Sequence, residues 1–142
     1  MKVRDIMTRE VATVNYEDTV ERVAQLMQNH NVGSIPVCKG ENVIGIVTDR
    51  DIALRAVAKG QNVMRQNVRE IMSSNPVTIS ADSDVHEAAR IMSERQIRRL
   101  PVVDGENLVG MLSIGDLAIE PKLSDNAGEA LSNISEPATP EM

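Results

Sequence analysis

Gly45-Ile46-Val47-Thr48-Asp49-Arg50-Asp51 decides how the chain is read, because it returns as Gly110-Met111-Leu112-Ser113-Ile114-Gly115-Asp116. In each copy a glycine opens a short apolar run, the signature of a buried strand. A hydroxyl residue stands where the strand should stop, an aspartate lies three positions on, and a helical pattern follows (Ile52, Ala53, Leu54; Leu117, Ala118, Ile119). The hydroxyl is therefore expected at a helix start, where backbone N–H groups and the helix dipole favour an anion. The aspartate can point to the same spot, and a carboxylate, which only accepts hydrogen bonds, suits a vicinal diol such as ribose. Phosphate at the hydroxyl and ribose at the aspartate would be a nucleotide-shaped pair of contacts. The plain alternative is a helix cap, since Ser, Thr and Asp cap helices everywhere. Recurrence in one frame favours the ligand reading without excluding the cap.

The recurrence extends well beyond these stretches. Val3–Arg55 aligns without a gap on Val68–Glu120, position 3 on position 68, an offset of 65. Identical pairs include Val3/Val68, Arg4/Arg69, Ile6/Ile71, Met7/Met72, Thr13/Thr78, Val20/Val85, Ala24/Ala89, Met27/Met92, Pro36/Pro101 and Val37/Val102. A repeat of this length predicts two copies of one supersecondary unit about a pseudo-twofold axis.

Each copy reads in the same order. A helical turn at Val3–Met7 leads to a brief strand at Val11–Val14. Asp18 then caps a helix with Glu21 completing a capping box, and Val20, Val23, Ala24 and Met27 form its buried stripe. Asn31 and Gly33 end that helix. A strand at Ile35–Cys38, a turn at Lys39–Asn42 and a strand at Val43–Val47 follow, and a second helix runs from Asp49 to Lys59 and stops at Gly60. The second copy has a helix at Asp84–Arg95 whose capping box is lost to His86, strands at Leu100–Val103 and Leu108–Leu112, and a short helix after Ser113. The fold class is α+β: repeat one over 1–60, a linker over 61–67, repeat two over 68–122, and an acidic tail over 123–142. In the tail, Pro121 breaks the preceding helix, Asn126–Ile134 can make a helical turn, and Glu136–Met142 is expected to be partly disordered.

Composition narrows the function. The 142 residues are 42% hydrophobic but 1% aromatic, Tyr16 alone, so the core must be aliphatic. Without rings to stack on bases, and with a net charge of −6, nucleic acid and acidic membranes are poor partners. The single cysteine, Cys38, permits no internal disulfide; it reads as a small core residue and points to the cytoplasm. No apolar run spans a bilayer and no signal segment follows Met1. His30 and His86 lack partners at metal-ligand spacing, and no nucleophile–base set, P-loop or dinucleotide fingerprint is present. No metal and no catalytic residue is expected.

The Asp5-Ile6-Met7 and Glu70-Ile71-Met72 turns, the Pro36-Val37 and Pro101-Val102 strands, and the Gly…Thr/Ser-x-x-Asp stretches together resemble the cystathionine-β-synthase (CBS) domain family, whose tandem pairs are called Bateman modules. The resemblance runs from Val3 to about Glu120. It implies two β-α-β-β-α units, a non-catalytic sensor, an adenosyl ligand (AMP, ADP, ATP or S-adenosylmethionine) rather than a required cofactor, and a disk-like homodimer formed through helices. It also implies clefts between the repeats. One would use Thr48 and Asp51 with Val77, Thr78, Arg98, Arg99 and Leu100. The other would use Ser113 and Asp116 with Ala12, Thr13, Gly33, Ser34 and Ile35. The aspartates would hold ribose hydroxyls, Thr48 and Ser113 would meet the phosphate or polar tail, and backbone beside Pro36 and Pro101 would read the adenine edge.

Arg95, Arg98 and Arg99 precede the second Pro-Val strand, where the first repeat has the uncharged His30-Asn31-Val32-Gly33-Ser34. Arginine's fork suits phosphate, so the Asp51 cleft is expected to prefer phosphorylated ligands; a solvated charge run remains the alternative. The reading is thus a free-standing cytoplasmic sensor of adenine nucleotides or adenosyl compounds, with a scaffold carrying vestigial clefts as its rival and an unidentified protein as a further partner.

Overall fold

The computed structural model describes residues 1–120 and 124–136. Two 3₁₀ turns, Val3–Asp5 and Val68–Glu70, open the repeats. The named elements are β1 (Val14–Asn15), α1 (Val20–His30), β2 (Ser34–Lys39), β3 (Asn42–Thr48), α2 (Asp49–Asp51), β4 (Ser73–Ser74), β5 (Ile79–Ser80), α3 (Val85–Arg95), β6 (Arg99–Asp104), β7 (Asn107–Ser113), α4 (Ile114–Ile119) and α5 (Ser124–Ser135). The α+β class read from the sequence is the one observed. Pro121 and the segment from Pro137 on lie outside the described residues.

The chain packs into two compact units that do not follow the repeat boundaries. One comprises Glu10–Val77 with Glu106–Leu108; the other comprises Met1–Arg9, Thr78–Gly105 and the described residues from Val109 on. They are called here the Asp51 unit and the Asp116 unit. Each repeat therefore surrenders its opening turn to the unit built by the other. In the Asp116 unit, Val3 N–H donates to the Ser83 carbonyl (2.9 Å), Arg4 N–H to that of Ala81 (3.0 Å), and Thr8 bridges to Met111. In the Asp51 unit, Val68 N–H donates to the Asp18 carbonyl (2.9 Å) and Val20 N–H to that of Gln66 (2.9 Å). Val3 and Val68 are both fully buried. Burying a valine side chain stabilises by roughly 1.5–3 kcal/mol, which is what holds each turn in place.

In the Asp51 unit β1 lies parallel to β2 (Val14 opposite Val37), β2 antiparallel to β3 (Ser34 opposite Thr48), and β4 pairs the far side of β3 (Gly45 opposite Ser74). In the Asp116 unit β5 lies parallel to β6 (Ile79 opposite Val102), and β7 follows β6. Gly40 (φ +62°) and Gly105 (φ +64°) take the left-handed backbone that both hairpin turns demand. Gly45 and Gly110 sit inside β3 and β7 and do not begin them. A Cβ on Gly45 would lie 2.6 Å from Met72 Sδ and 2.9 Å from the Ser73 carbonyl oxygen; one on Gly110 would lie 2.7 Å from Met7 Sδ and 2.8 Å from the Thr8 carbonyl oxygen. The glycines are there because the opening turn crosses the strand at that point.

Of the expected α1 stripe, Ala24 is exposed, while Val20, Val23 and Met27 pack with Ile35, Val37, Val47, Ala56 and the borrowed Val68 and Ile71 into the core of the Asp51 unit. Cys38 is buried, and burial pushes its thiol pKa up, as suits an inert core residue.

Four local expectations are corrected. The N-cap of α1 is Thr19 and not Asp18: the Thr19 hydroxyl accepts from Arg22 N–H (3.2 Å), while Asp18 is occupied accepting Asn15 N–H (2.9 Å) in the preceding turn. The first strand begins at Val14, where pairing to β2 becomes available. The helix after Asp49 ends at Val57, and its last six residues, Ile52–Val57, are π-wound. The tail folds further than a turn, into the twelve-residue α5, which buries Ala127 and Ala130 and packs on α3 and α4. Gln96, in the left-handed conformation at the end of α3, donates from its side-chain amide to the Asn133 carbonyl (3.0 Å) and so latches α5.

Candidate functional site

The two Thr/Ser-x-x-Asp stretches form the same device. Thr48 Oγ1 accepts from Asp51 N–H (3.1 Å) and Asp51 Oδ2 accepts from Thr48 N–H (2.9 Å). Ser113 Oγ accepts from Asp116 N–H (3.2 Å) and Asp116 Oδ2 accepts from Ser113 N–H (2.8 Å). These are reciprocal capping boxes, so the cap reading is realised in both repeats. It does not use the aspartates up. Each spends one carboxylate oxygen on the cap, and the other, Oδ1, takes no hydrogen bond among the described residues. Both aspartates are half-buried, neither sealed in nor swept by solvent.

The anion expectation at the Asp51 helix start is corrected. Its first three N–H groups are already committed: Asp49 to the Gly33 carbonyl (3.0 Å), Arg50 to Asp49 Oδ1 (2.9 Å) and Asp51 to Thr48 Oγ1. No donor of that turn is left for phosphate, so side chains would have to supply it.

Within the units the expected residues regroup. In the Asp51 unit, Ser34 lies opposite Thr48 and Gly33 touches Asp49, which brings Gly33-Ser34-Ile35 beside Thr48–Asp51. Ala12 and Thr13 run into β1 of the same unit, and Val77, half-buried, ends its long segment. In the Asp116 unit, Ile114 N–H donates to the Arg98 carbonyl (2.9 Å), which brings Arg98-Arg99-Leu100 beside Ser113–Asp116; Thr78 runs into β5 of that unit. The cross-repeat grouping read from the sequence had set these strand segments against the opposite aspartates. Ile35 and Leu100 are fully buried, so only their backbone can face a ligand. Arg98 and Arg99 are exposed.

Two charged residues escaped the sequence reading. The Asp49 carboxylate sits against Gly33, 2.9 Å from where a Cβ would stand. Arg55 Nε lies 3.7 Å from Asp51 Oδ1. The i, i+4 spacing of Asp51 and Arg55 was the signal that could have revealed the second. Among the described residues, a groove of about 250 Å³ beside α3 and α5 and one of about 270 Å³ beside α1 contain none of the candidate residues. Among the described residues no group of three or more His, Cys, Asp or Glu could hold a metal ion, and no helix is long and apolar enough to cross a membrane.

A family model, the CBS domain, matches residues 3–57 and again 68–121. The chain belongs to the CBS domain family. As a tandem CBS pair it stands among regulatory, non-catalytic modules. It is 45% identical to the CBS domain-containing protein YhcV of Bacillus subtilis over 133 residues, 94% of each chain. The CBS domain protein PAE2072 from Pyrobaculum aerophilum, solved in complex with AMP, matches with a TM-score of 0.79 at 28% identity over 90% of this chain and 98% of that one. The CBS domain pair of protein MJ0100, solved with 5′-methylthioadenosine and S-adenosyl-L-methionine, matches with a TM-score of 0.72 at 28% identity over 83% and 93%. These solved CBS pairs bind adenosyl ligands, which supports a ligand-binding regulatory module here.

Proposed function

We propose that this chain is a cytoplasmic sensor in which Asp51 and Asp116 each hold the ribose of an adenosyl ligand. The observation that carries this reading is the repeated carboxylate with one oxygen fixed by a capping box and the other left to accept from a diol. Backbone at Ser34-Ile35 and Arg99-Leu100 would meet the adenine edge, and Thr48 and Ser113 would donate their hydroxyl protons to the ligand. The charges around the two aspartates differ. Arg98 and Arg99 stand beside Ser113, so the Asp116 site is the one suited to phosphate, as in AMP, ADP or ATP. Asp49 stands beside Gly33, so the Asp51 site suits an uncharged or cationic tail, as in 5′-methylthioadenosine or S-adenosylmethionine. This reverses the preference expected from the sequence, because the arginines lie in the Asp116 unit.

Thermal melts with adenosine, AMP, ATP and S-adenosylmethionine test the reading. A ligand at a hundredfold its dissociation constant should stabilise by roughly 2.7 kcal/mol. Asp116→Ala should abolish the AMP and ATP shifts and spare that of S-adenosylmethionine. A chain that shifts with none of the four is a scaffold.

Output would come from differential affinity for two association states. The Asp51 unit exposes Leu54, Val57 and Met64, and Val57 lines a groove with Val20, Ala24, Ile52 and Val63, rimmed by Glu21, Gln25 and Gln28; this largely apolar face supports a homodimer. Leu54→Lys with Val57→Lys should convert it to monomer in sedimentation analysis.

A further inference from the structure

Arg55 stands one turn beyond Asp51 and serves two partners. Its Nε lies 3.7 Å from Asp51 Oδ1, and its Nη1 donates to the main-chain carbonyl of Ile71 at 3.3 Å. Ile71 is fully buried and closes the borrowed Val68–Glu70 turn. The guanidinium is thus anchored on backbone while it faces the carboxylate oxygen that the capping box leaves over. The backbone carrying Arg55 is also unusual. Over Ile52–Val57 it is π-wound, with Ala58 N–H donating to the Ala53 carbonyl (2.9 Å) and Gln61 N–H to that of Ala56 (3.1 Å). Such windings are rare and recur at functional sites.

The second repeat supplies an internal control. The residue equivalent to Arg55 is Glu120, and the segment leading to it, α4, is ordinary α-helix. The capping boxes match; the residue four positions beyond the aspartate does not.

We propose that Arg55 is a positioning residue that fixes Asp51 Oδ1 for a sugar diol and makes the Asp51 site the more selective of the two for ribose. This rests on the adenosyl reading given above. At 3.7 Å the guanidinium attracts Oδ1 without consuming its lone pairs, so both remain to accept from adjacent hydroxyls. An acceptor held in place before the ligand arrives loses less freedom on binding. The Asp51 side chain is 15% exposed and that of Arg55 51%, so the restraint is of the modest, partly solvated kind.

The test uses the full chain carrying Asp116→Ala, which leaves the Asp51 site alone, with adenosine and 2′-deoxyadenosine as calorimetric probes. Adding Arg55→Ala should weaken adenosine by about threefold, the scale of a partly exposed ion pair, and leave 2′-deoxyadenosine unchanged, so the ratio between the probes shrinks. Arg55→Lys should fall between, since an ammonium keeps the charge but cannot serve both partners, and it stands in if the alanine variant does not fold. An unchanged ratio, or equal weakening of both probes, overturns the role of Arg55 and leaves the adenosyl reading standing. Adenosine binding that survives Asp51→Ala and is lost with Asp116→Ala overturns it too, while no adenosine binding to the unsubstituted chain overturns both.

Discussion

Arg4 and Arg69 occupy equivalent places in the two borrowed turns and are satisfied in different ways. In the Asp116 unit Arg4 closes on Asp82, Nη2 to Oδ1 at 2.5 Å and Nε to the same oxygen at 3.0 Å. In the Asp51 unit the guanidinium of Arg69 lies over the Tyr16 ring, 5.8 Å from its centroid, and Lys39 Nζ lies 5.4 Å from the same centroid. One duplicated arginine pairs with a carboxylate in one unit and with an aromatic face in the other. The buried valine beneath and the glycine opposite are the same in both. The difference teaches that the exchange of turns is fixed by the apolar and steric contacts, and that the surface fastening is free to vary.

The largest effect should come from breaking what the units share. Gly45→Ala drives a Cβ into Met72 Sδ and the Ser73 carbonyl, and Gly110→Ala does the same to Met7 and Thr8. The sulfur can swing aside, but the carbonyl belongs to a paired strand in one case and a bridge in the other. Each substitution should cost about 1–3 kcal/mol, read as a shift in the urea midpoint, and the two should be nearly equal. If one is silent, the turns are not held alike.

Next in size is a change confined to one unit. Ala130, on the packed face of α5, is 1% exposed, and the Asp51 unit has no equivalent of that helix among the described residues. Ala130→Asp puts an unpaired charge in that contact, and because α5 can lift to expose it the cost should be about 1–2 kcal/mol. Hydrogen exchange should show α3 and α4 losing protection while α1 keeps it. Equal losses in both would mean that the units unfold as one and that the comparison has no energetic content.

How much of this was legible in the sequence depends on distance along the chain. The hairpins were readable because Pro36-Val37, Gly40 and the apolar run to Val47 are neighbours, and the 65-residue offset exposed the duplication. The helix start was misplaced by one residue because Asp18 and Thr19 are both good caps, and only the preceding turn, which claims Asp18, decides between them. The exchange of opening turns was invisible, since Val3 and Val68 are valines whichever unit they fill. So was the regrouping of Arg98–Arg99 with Ser113, which follows from strand adjacency. The π winding over Ile52–Val57 leaves no mark in residue types. Asp51 and Asp116 were found because their spacing to Thr48 and Ser113 is local.

A smaller effect sharpens the contrast between the two fastenings. Tyr16→Leu keeps much of the apolar bulk packed on the Asp51 core and removes the ring under Arg69 and Lys39. An exposed cation–π contact contributes about 0.5–1 kcal/mol. The loss should be little altered between low and moderate salt, whereas the Arg4–Asp82 ion pair should weaken as salt rises. Melting Tyr16→Leu and Asp82→Asn at two ionic strengths separates them.

The smallest effect is a dependence on acid that belongs to the Asp116 unit. A hydrogen bond from the Arg4 side chain, helped by its charge, holds the Asp82 carboxyl below its ordinary value, and the backbone N–H of His86, followed by its ring, does the same for Asp84. A carboxylate whose pKa is depressed by folding adds stability above the unfolded value near 4, and that contribution fades as the pH falls through the folded value. Wild type should therefore exceed Asp82→Asn and Asp84→Asn in stability at pH 6, and the gaps should close on acidification below about pH 4. At the position equivalent to Asp84 the Asp51 unit has Thr19, a cap that cannot titrate. The start of α3 should accordingly loosen before that of α1 as acid is added, which hydrogen exchange at Val85–Glu87 against Val20–Arg22 would show. If both helix starts loosen together, the ion pairs of the borrowed turn contribute nothing that distinguishes the units.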